Sequence, residues 1–264
     1  MKIILTSKPT YQAFSVEAGK HDNEKHFDHH GIDAPSPCNN KDILPIKEDS
    51  FIEITHFDAD TFIGILRLLG KDLPENIDMS IMEQIDNNGT LNVTEYDRTL
   101  LYMTGLKGIS HRLDFPRVTE GPINVTNFIH LIINTPLNDI IDEGKKIVTE
   151  SHEAYDRSFK NYFGGICLFS VGEKDSVDVS MAYKKGHFLA IVYRERYKSI
   201  SLYAHPESHL VLNNKKYSNI LFEGHEKACG SPRGIEYTFE DARTIYEYFI
   251  SLYYPKNREW PSAF

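Results

Sequence analysis

The segment 50–70, SFIEITHFDADTFIGILRLLG, constrains the fold more than any other stretch of the chain. Phe51, Ile52 and Ile54 make an apolar run of strand length, and 61–69 carries helical spacing. Asp60 or Thr61 stands where a helix N-cap belongs, and Gly70 stands where a helix stops. Strand, polar loop and helix N-terminus in succession define an α/β unit. Its loop, His56-Phe57-Asp58-Ala59-Asp60, is where such proteins bind ligands.

The rest of the chain fits an α/β protein of two domains. Residues 2–5 read as a strand, followed by connecting chain with Gly, Asn, Pro and Ser as far as Pro45. Helices are expected over 77–85, over 94–103 ending before Gly105, and over 137–163. In the last of these Leu137, Ile140, Ile141, Ile147, Val148, Tyr155 and Phe159 recur at helical intervals. Beyond Phe163-Gly164-Gly165 the pattern switches to strands at 166–171, 177–183, 188–193 and 199–203. A final helix over 239–253 takes Thr238 as N-cap, with Asp241 completing a capping box and Pro255 barring its extension. The switch near Asn161 divides the chain into an N-terminal sheet domain, 1–160, and a smaller mixed-sheet domain, 161–264.

With 264 residues, 41% apolar and 25% charged, the chain has ample material for buried cores. The N-terminal apolar run, Ile3 to Leu5, is too short for a signal-peptide core, and no stretch approaches membrane-spanning length. Cys38, Cys167 and Cys229 are an odd count at wide spacing, which suits reduced thiols in a cytoplasm. A net charge of −9 argues against a duplex-DNA-binding face, yet is compatible with a small anionic substrate held through metal ions.

Histidine and acid gather in three places: FDHHG (27–31), THFDAD (55–60) and EQIDNNG (83–89). Mixed imidazole and carboxylate ligands suit Mn²⁺, Fe²⁺ or Zn²⁺, whereas a pure oxygen set suits Mg²⁺ better. In extended chain, residues i and i+2 point the same way, so His56, Asp58 and Asp60 are arranged to converge. Each motif alone reads more simply as a turn or a helix cap. Their co-occurrence within about 60 residues favours a metal site.

FDHHG followed by ITHFDADTFIGILRLLG resembles the DHH superfamily of Mn²⁺-dependent phosphoesterases. That superfamily includes RecJ-type exonucleases, oligoribonucleases, cyclic-dinucleotide phosphodiesterases and family II pyrophosphatases. In the second half, YKSISLYA (197–204) and NILFEGHEKACGSPRG (219–234) resemble the DHH-associated domain, with its GGGHxxAAG substrate loop matched at Gly224, His225, Ala228 and Gly230. The motif order differs, because here DHH precedes HFDAD. The resemblance implies two metal ions, with His56, Asp58, Asp60, His29 and Asp86 as ligands and Asp22 or Asp86 as the bridging carboxylate. It implies that His30 contacts the scissile phosphate or protonates the leaving oxygen, while Asp28 orients a histidine. It further implies that Gly224, His225 and Gly230 hold a substrate phosphate or carboxylate across an interdomain cleft, with Arg233 adding a bidentate grip.

The expected activity is therefore hydrolysis of a phosphoester or phosphoanhydride, in a nucleotide or short oligonucleotide, by metal-activated water. Mn²⁺ is the expected ion, with Fe²⁺, Mg²⁺ or Zn²⁺ as substitutes, and a homodimer is compatible with this reading. Two alternatives stand beside it. His205-x-x-x-His209 and His225-x-x-x-Cys229 offer a Zn²⁺-compatible set, faintly resembling aminoacyl-tRNA editing hydrolases. A catalytically degenerate sensor of a nucleotide or metal is the non-enzymatic alternative.

Overall fold

The computed structural model describes the chain except residues 11, 19–20, 23, 30–33, 48, 91, 117–121, 225, 233 and 255–264, and the side chains of 87 and 88. It is an α/β protein. The chain forms two compact units, Met1–Val148 and Thr149–Phe264, divided within a long helix.

In the first unit, strands β1 (Lys2–Leu5), β2 (Phe14–Val16), β3 (His26–Phe27) and β4 (Phe51–Ile54) precede helices α1 (Ala59–Leu68), α2 (Met79–Asn88) and α3 (Arg98–Arg112). β5 (Ile123–Asn124), α4 (Thr126–Ile133) and the start of α5 (Leu137–Ser158) follow. The sheet order is β3-β2-β4-β1-β5, parallel throughout except for β5. β1 and β4 set Ile3 opposite Ile52 and Leu5 opposite Ile54. All four are at most 1% exposed, so each contributes about 2 kcal/mol of hydrophobic stabilisation.

Three expectations need correction in this unit. Asp58, rather than Asp60 or Thr61, caps α1 by accepting a hydrogen bond from the Thr61 amide. Asp60 is thereby left inside the first turn, and buried. The presumed connection after β1 contains β2 and β3, which are three and two residues long. α3 does not stop before Gly105 but continues to Arg112. Its glycine is an approach point rather than a terminator: a Cβ at Gly105 would collide with the Ile140 carbonyl, and one at Gly144 with the Leu101 carbonyl. α3 and α5 thus cross with backbone against backbone. Gly144→Ala is expected to destabilise the fold by about 2 kcal/mol, because overpacking outweighs the roughly 1 kcal/mol gain in helix propensity. Urea denaturation measures this, and an unchanged midpoint would refute the tight crossing.

The second unit continues from α5 into β6 (Phe159–Phe163), β7 (Ile166–Val171), α6 (Ser180–Lys184), β8 (Leu189–Arg194) and β9 (Ser199–Ala204). β10 (Lys215–Tyr217), β11 (Ile220–Gly224), β12 (Ala228–Gly230) and α7 (Phe239–Tyr253) complete it. Its seven strands run in the order β10-β11-β12-β9-β8-β7-β6. α7 packs Ala242, Ile245, Tyr246 and Phe249 on one face of this sheet, starting from the capping box of Thr238 and Asp241. The strand expected over 177–183 is absent. Asp178 accepts bonds from the Ser180 amide and hydroxyl, and this turn starts α6 while Val177 and Val179 stay buried. The three cysteines are free and buried. No helix among the described residues is long and apolar enough to cross a membrane.

Candidate metal centre

The parallel strands β2, β3 and β4 end side by side, and the chemistry-bearing residues follow directly after them. Glu17 follows β2, Asp28 and His29 follow β3, and 55–60 lead from β4 into α1. The carboxyl ends of parallel strands are the usual ligand-binding edge of an open α/β sheet.

Glu17 is 2% exposed and has a left-handed backbone, with φ of 52°. Two backbone bonds hold it there. Its amide donates to the Phe27 carbonyl at 2.9 Å, and its carbonyl accepts the Thr55 hydroxyl. Such strain in a non-glycine residue persists only where the surroundings enforce it. The side chain is directed to His29, whose Nε2 lies 3.6 Å from Glu17 Oε1, 3.6 Å from Asp60 Oδ2 and 3.3 Å from Asp86 Oδ2. Ligand atoms of Glu17, His29 and Asp60 all lie within 4.8 Å of one another. Asp60 Oδ1 accepts the Cys38 amide, while the buried Oδ2 accepts no hydrogen bond among the described residues.

Burial pushes the Glu17 carboxyl up to about 10, reinforced by the charges of Asp60, Asp28, Asp58 and Asp86. Burial also raises Asp60, aided by Asp58 and opposed by hydrogen bonds from Ser36 and Cys38. Buried carboxylates gather here around one imidazole, with the Asp60 Oδ2 acceptor left open among the described residues. These residues fit a divalent cation. The donor set of one nitrogen and several carboxylate oxygens suits Mn²⁺ or Fe²⁺.

The other residues singled out from sequence are placed as follows. His56 Nε2 bonds Asp58 Oδ2 at 3.0 Å, and its Nδ1 meets the Thr55 hydroxyl at 3.0 Å. The Thr55 hydroxyl also donates to the Glu17 carbonyl. The bond to Asp58 raises the His56 pKa. Burial would raise the Asp58 carboxyl, but His56 and Thr61 together hold it below the usual range. Asp28 is 3% exposed at the end of β3. Asp22 closes the turn before β3, with Oδ1 accepting the amides of Glu24, Lys25 and His26 at 2.9, 2.8 and 2.9 Å. Burial opposes its ionisation, yet these donors and His26 bring it down to about 2.

In the second unit, Gly224 ends β11 with φ of 137° and pairs with Cys229, while Gly230 pairs with Glu223 and Ser201. His30, His225 and Arg233 lie outside the described residues. His205 Nδ1 accepts the Glu207 amide, and Cys229 sits in the apolar core with burial pushing its thiol up to about 12. Among the described residues, His205, His209 and Cys229 form no metal-sized group.

Glu17 is the residue that sequence reasoning missed. Its signal was slight: an acid directly after the apolar run Phe14 to Val16 and just before Ala18.

No protein-family model matches the sequence, and no curated protein matches it. Among solved structures, the pGpG-specific phosphodiesterase PggH from Vibrio cholerae is similar at 14% identity and a TM-score of 0.39, covering 79% of this chain and 80% of that one. An exopolyphosphatase-related protein from Bacteroides fragilis is similar at 14% identity and a TM-score of 0.33, covering 76% and 71% respectively. An uncharacterized protein from Helicobacter pylori G27 gives 13% identity and a TM-score of 0.23, covering 65% of this chain and 51% of that one.

Proposed function

We propose that the chain is a Mn²⁺-dependent phosphohydrolase, acting on a phosphoester or phosphoanhydride of a nucleotide or short oligonucleotide. The observation that carries this reading is the gathering of Glu17, Asp60 and Asp86 around His29 at the ends of parallel strands. It is supported by the DHH and HFDAD motifs, which supply His29 and Asp60.

In this reading Glu17, His29, Asp60 and Asp86 hold one divalent ion, and a second takes Asp58 and His56 once that pair opens. When bound, the ions supply Lewis acidity toward a phosphoryl oxygen and lower the pKa of the attacking water. Until the pair opens, His56 stands on the exposed side, with Asp58 favouring its charged form, where an anionic phosphoryl group can approach. His30, adjacent to His29, is assigned by its motif to the scissile phosphate or leaving oxygen. Gly224, His225, Gly230 and Arg233 are assigned to another phosphate or carboxylate of the substrate.

Metal analysis and hydrolysis assays test the proposal together. The expected result is Mn²⁺ binding by the purified chain and turnover of dinucleotides, pyrophosphate or p-nitrophenyl phosphates. His29→Ala is expected to lower both metal content and kcat/KM, the latter by more than about a hundredfold. If His29→Ala leaves metal content and hydrolysis unchanged, the proposal fails. Mn²⁺ binding without turnover of any substrate would favour the sensor instead.

A further inference from the structure

Next to the proposed ligands lies a polar clip built on residues 36–39, which none of the motifs includes. Residues 36–39 are bound to α1 and α2 at once. On the α1 side, the Cys38 amide donates to Asp60 Oδ1, and Arg67 Nη2 donates to the Cys38 carbonyl at 2.8 Å. On the α2 side, Glu83 takes two donors: Oε1 accepts the Ser36 amide at 3.2 Å, and Oε2 accepts Asn39 Nδ2 at 2.9 Å. The Cys38 thiol adds a longer contact of 3.6 Å to the Met79 carbonyl. Ser36 and Cys38 are fully buried. Glu83 lies three residues before Asp86 on α2, and residues so spaced share a helix face.

We infer that Glu83 is a positioning residue for the metal centre, an inference that rests on the metal reading above. Through Ser36 and Asn39 it locks the helix carrying Asp86 to the segment whose Cys38 amide orients Asp60. Asp60 and Asp86 come from different helices, and both must meet His29. The clip joins those two helices through hydrogen bonds. A carboxylate suits the task because it accepts at both oxygens. A glutamine in its place must turn an NH₂ toward one of the two N–H donors.

The test compares four chains: parent, Glu83→Gln, Asn39→Asp, and the double variant Glu83→Gln/Asn39→Asp. In the double variant the glutamine amide donates to the new aspartate, while its oxygen still accepts the Ser36 amide. Both the bonding and the net charge of the parent are restored. Calorimetric titration with Mn²⁺ gives the affinity, and thermal melting in EDTA gives the metal-free stability. Each single variant is expected to bind Mn²⁺ about tenfold more weakly, the range typical of groups that orient ligands, with the double variant back within about twofold of the parent.

Asn39→Asp separates position from charge. It adds a negative charge, so a purely electrostatic effect would tighten binding, whereas a broken clip weakens it. Hydrogen exchange at the Cys38 amide in the metal-free protein is expected to quicken in both single variants and to recover in the double. Tighter binding by Asn39→Asp, or equal affinities in all four chains, would overturn the positioning role alone. No Mn²⁺ binding by the parent would overturn the metal reading itself, and this inference with it.

Discussion

Replacing Glu17 with glutamine is expected to stabilise the metal-free protein and to abolish its stabilisation by Mn²⁺. Glu17 has an ordinary value of 4.5 but is pushed up to about 10 in the fold, by burial and by the surrounding carboxylates. Between those limits the folded chain holds a proton that the unfolded chain has released. The stabilising contribution is therefore complete below about 4.5 and is lost progressively as pH rises towards 10. At pH 7, about 2.5 units above the unfolded value, the loss is on the order of 3 kcal/mol, and glutamine, which does not titrate, avoids it. The metal-free Tm of Glu17→Gln at pH 7 is expected to exceed that of the parent by on the order of 10 °C. At pH 5 the gap should nearly close. Mn²⁺ at a thousandfold excess over its Kd reverses the order, since it stabilises the parent by about 4.1 kcal/mol. Melting curves in EDTA and in Mn²⁺, at both pH values, check this. Melting temperatures in the same order under both conditions would remove Glu17 from the ligand set.

Why Glu17 escaped notice in the sequence is a matter of physics. β2 has only three residues, too few for alternation to register, and it is defined by pairing with β4 and β3, which are distant in sequence. The role of Glu17 also depends on a left-handed backbone held by Phe27 and Thr55. By contrast, β4 and α1 were legible because an apolar run passes straight into a capped amphipathic helix, and α7 because its capping box is local. The strand expected at 177–183 shows the converse error. Val177 and Val179 are buried as strand residues would be, but the Asp178-to-Ser180 turn starts a helix there. At the site, His29, Asp60 and Asp86 were named through the resemblance to the DHH superfamily, and the structure sets both acids beside His29. Asp22, named by the same logic, is occupied by three backbone amides in a turn. Residue type proposes a ligand, but its neighbours decide what its oxygens do.

Asp60 has two oxygens with separate tasks, and substitution separates them. Oδ1 accepts the Cys38 amide, while Oδ2 turns to His29 within the carboxylate nest. Asp60→Asn keeps an acceptor for Cys38 and puts an NH₂ where a ligand oxygen was. Metal-free stability should hold or rise, because a charge that elevates the Glu17 pKa is gone. Mn²⁺ affinity is expected to fall by more than about a hundredfold, beyond the effect of groups that only orient ligands. Asp60→Ala removes both functions. It also leaves the buried Cys38 amide without its acceptor, at a further cost of about 1–3 kcal/mol in the metal-free fold. Calorimetry and melting curves on the two variants thus report ligation and scaffolding separately. Mn²⁺ affinity of Asp60→Asn within tenfold of the parent would reduce Asp60 to a purely structural residue and leave Glu17 and Asp86 to hold any ion beside His29.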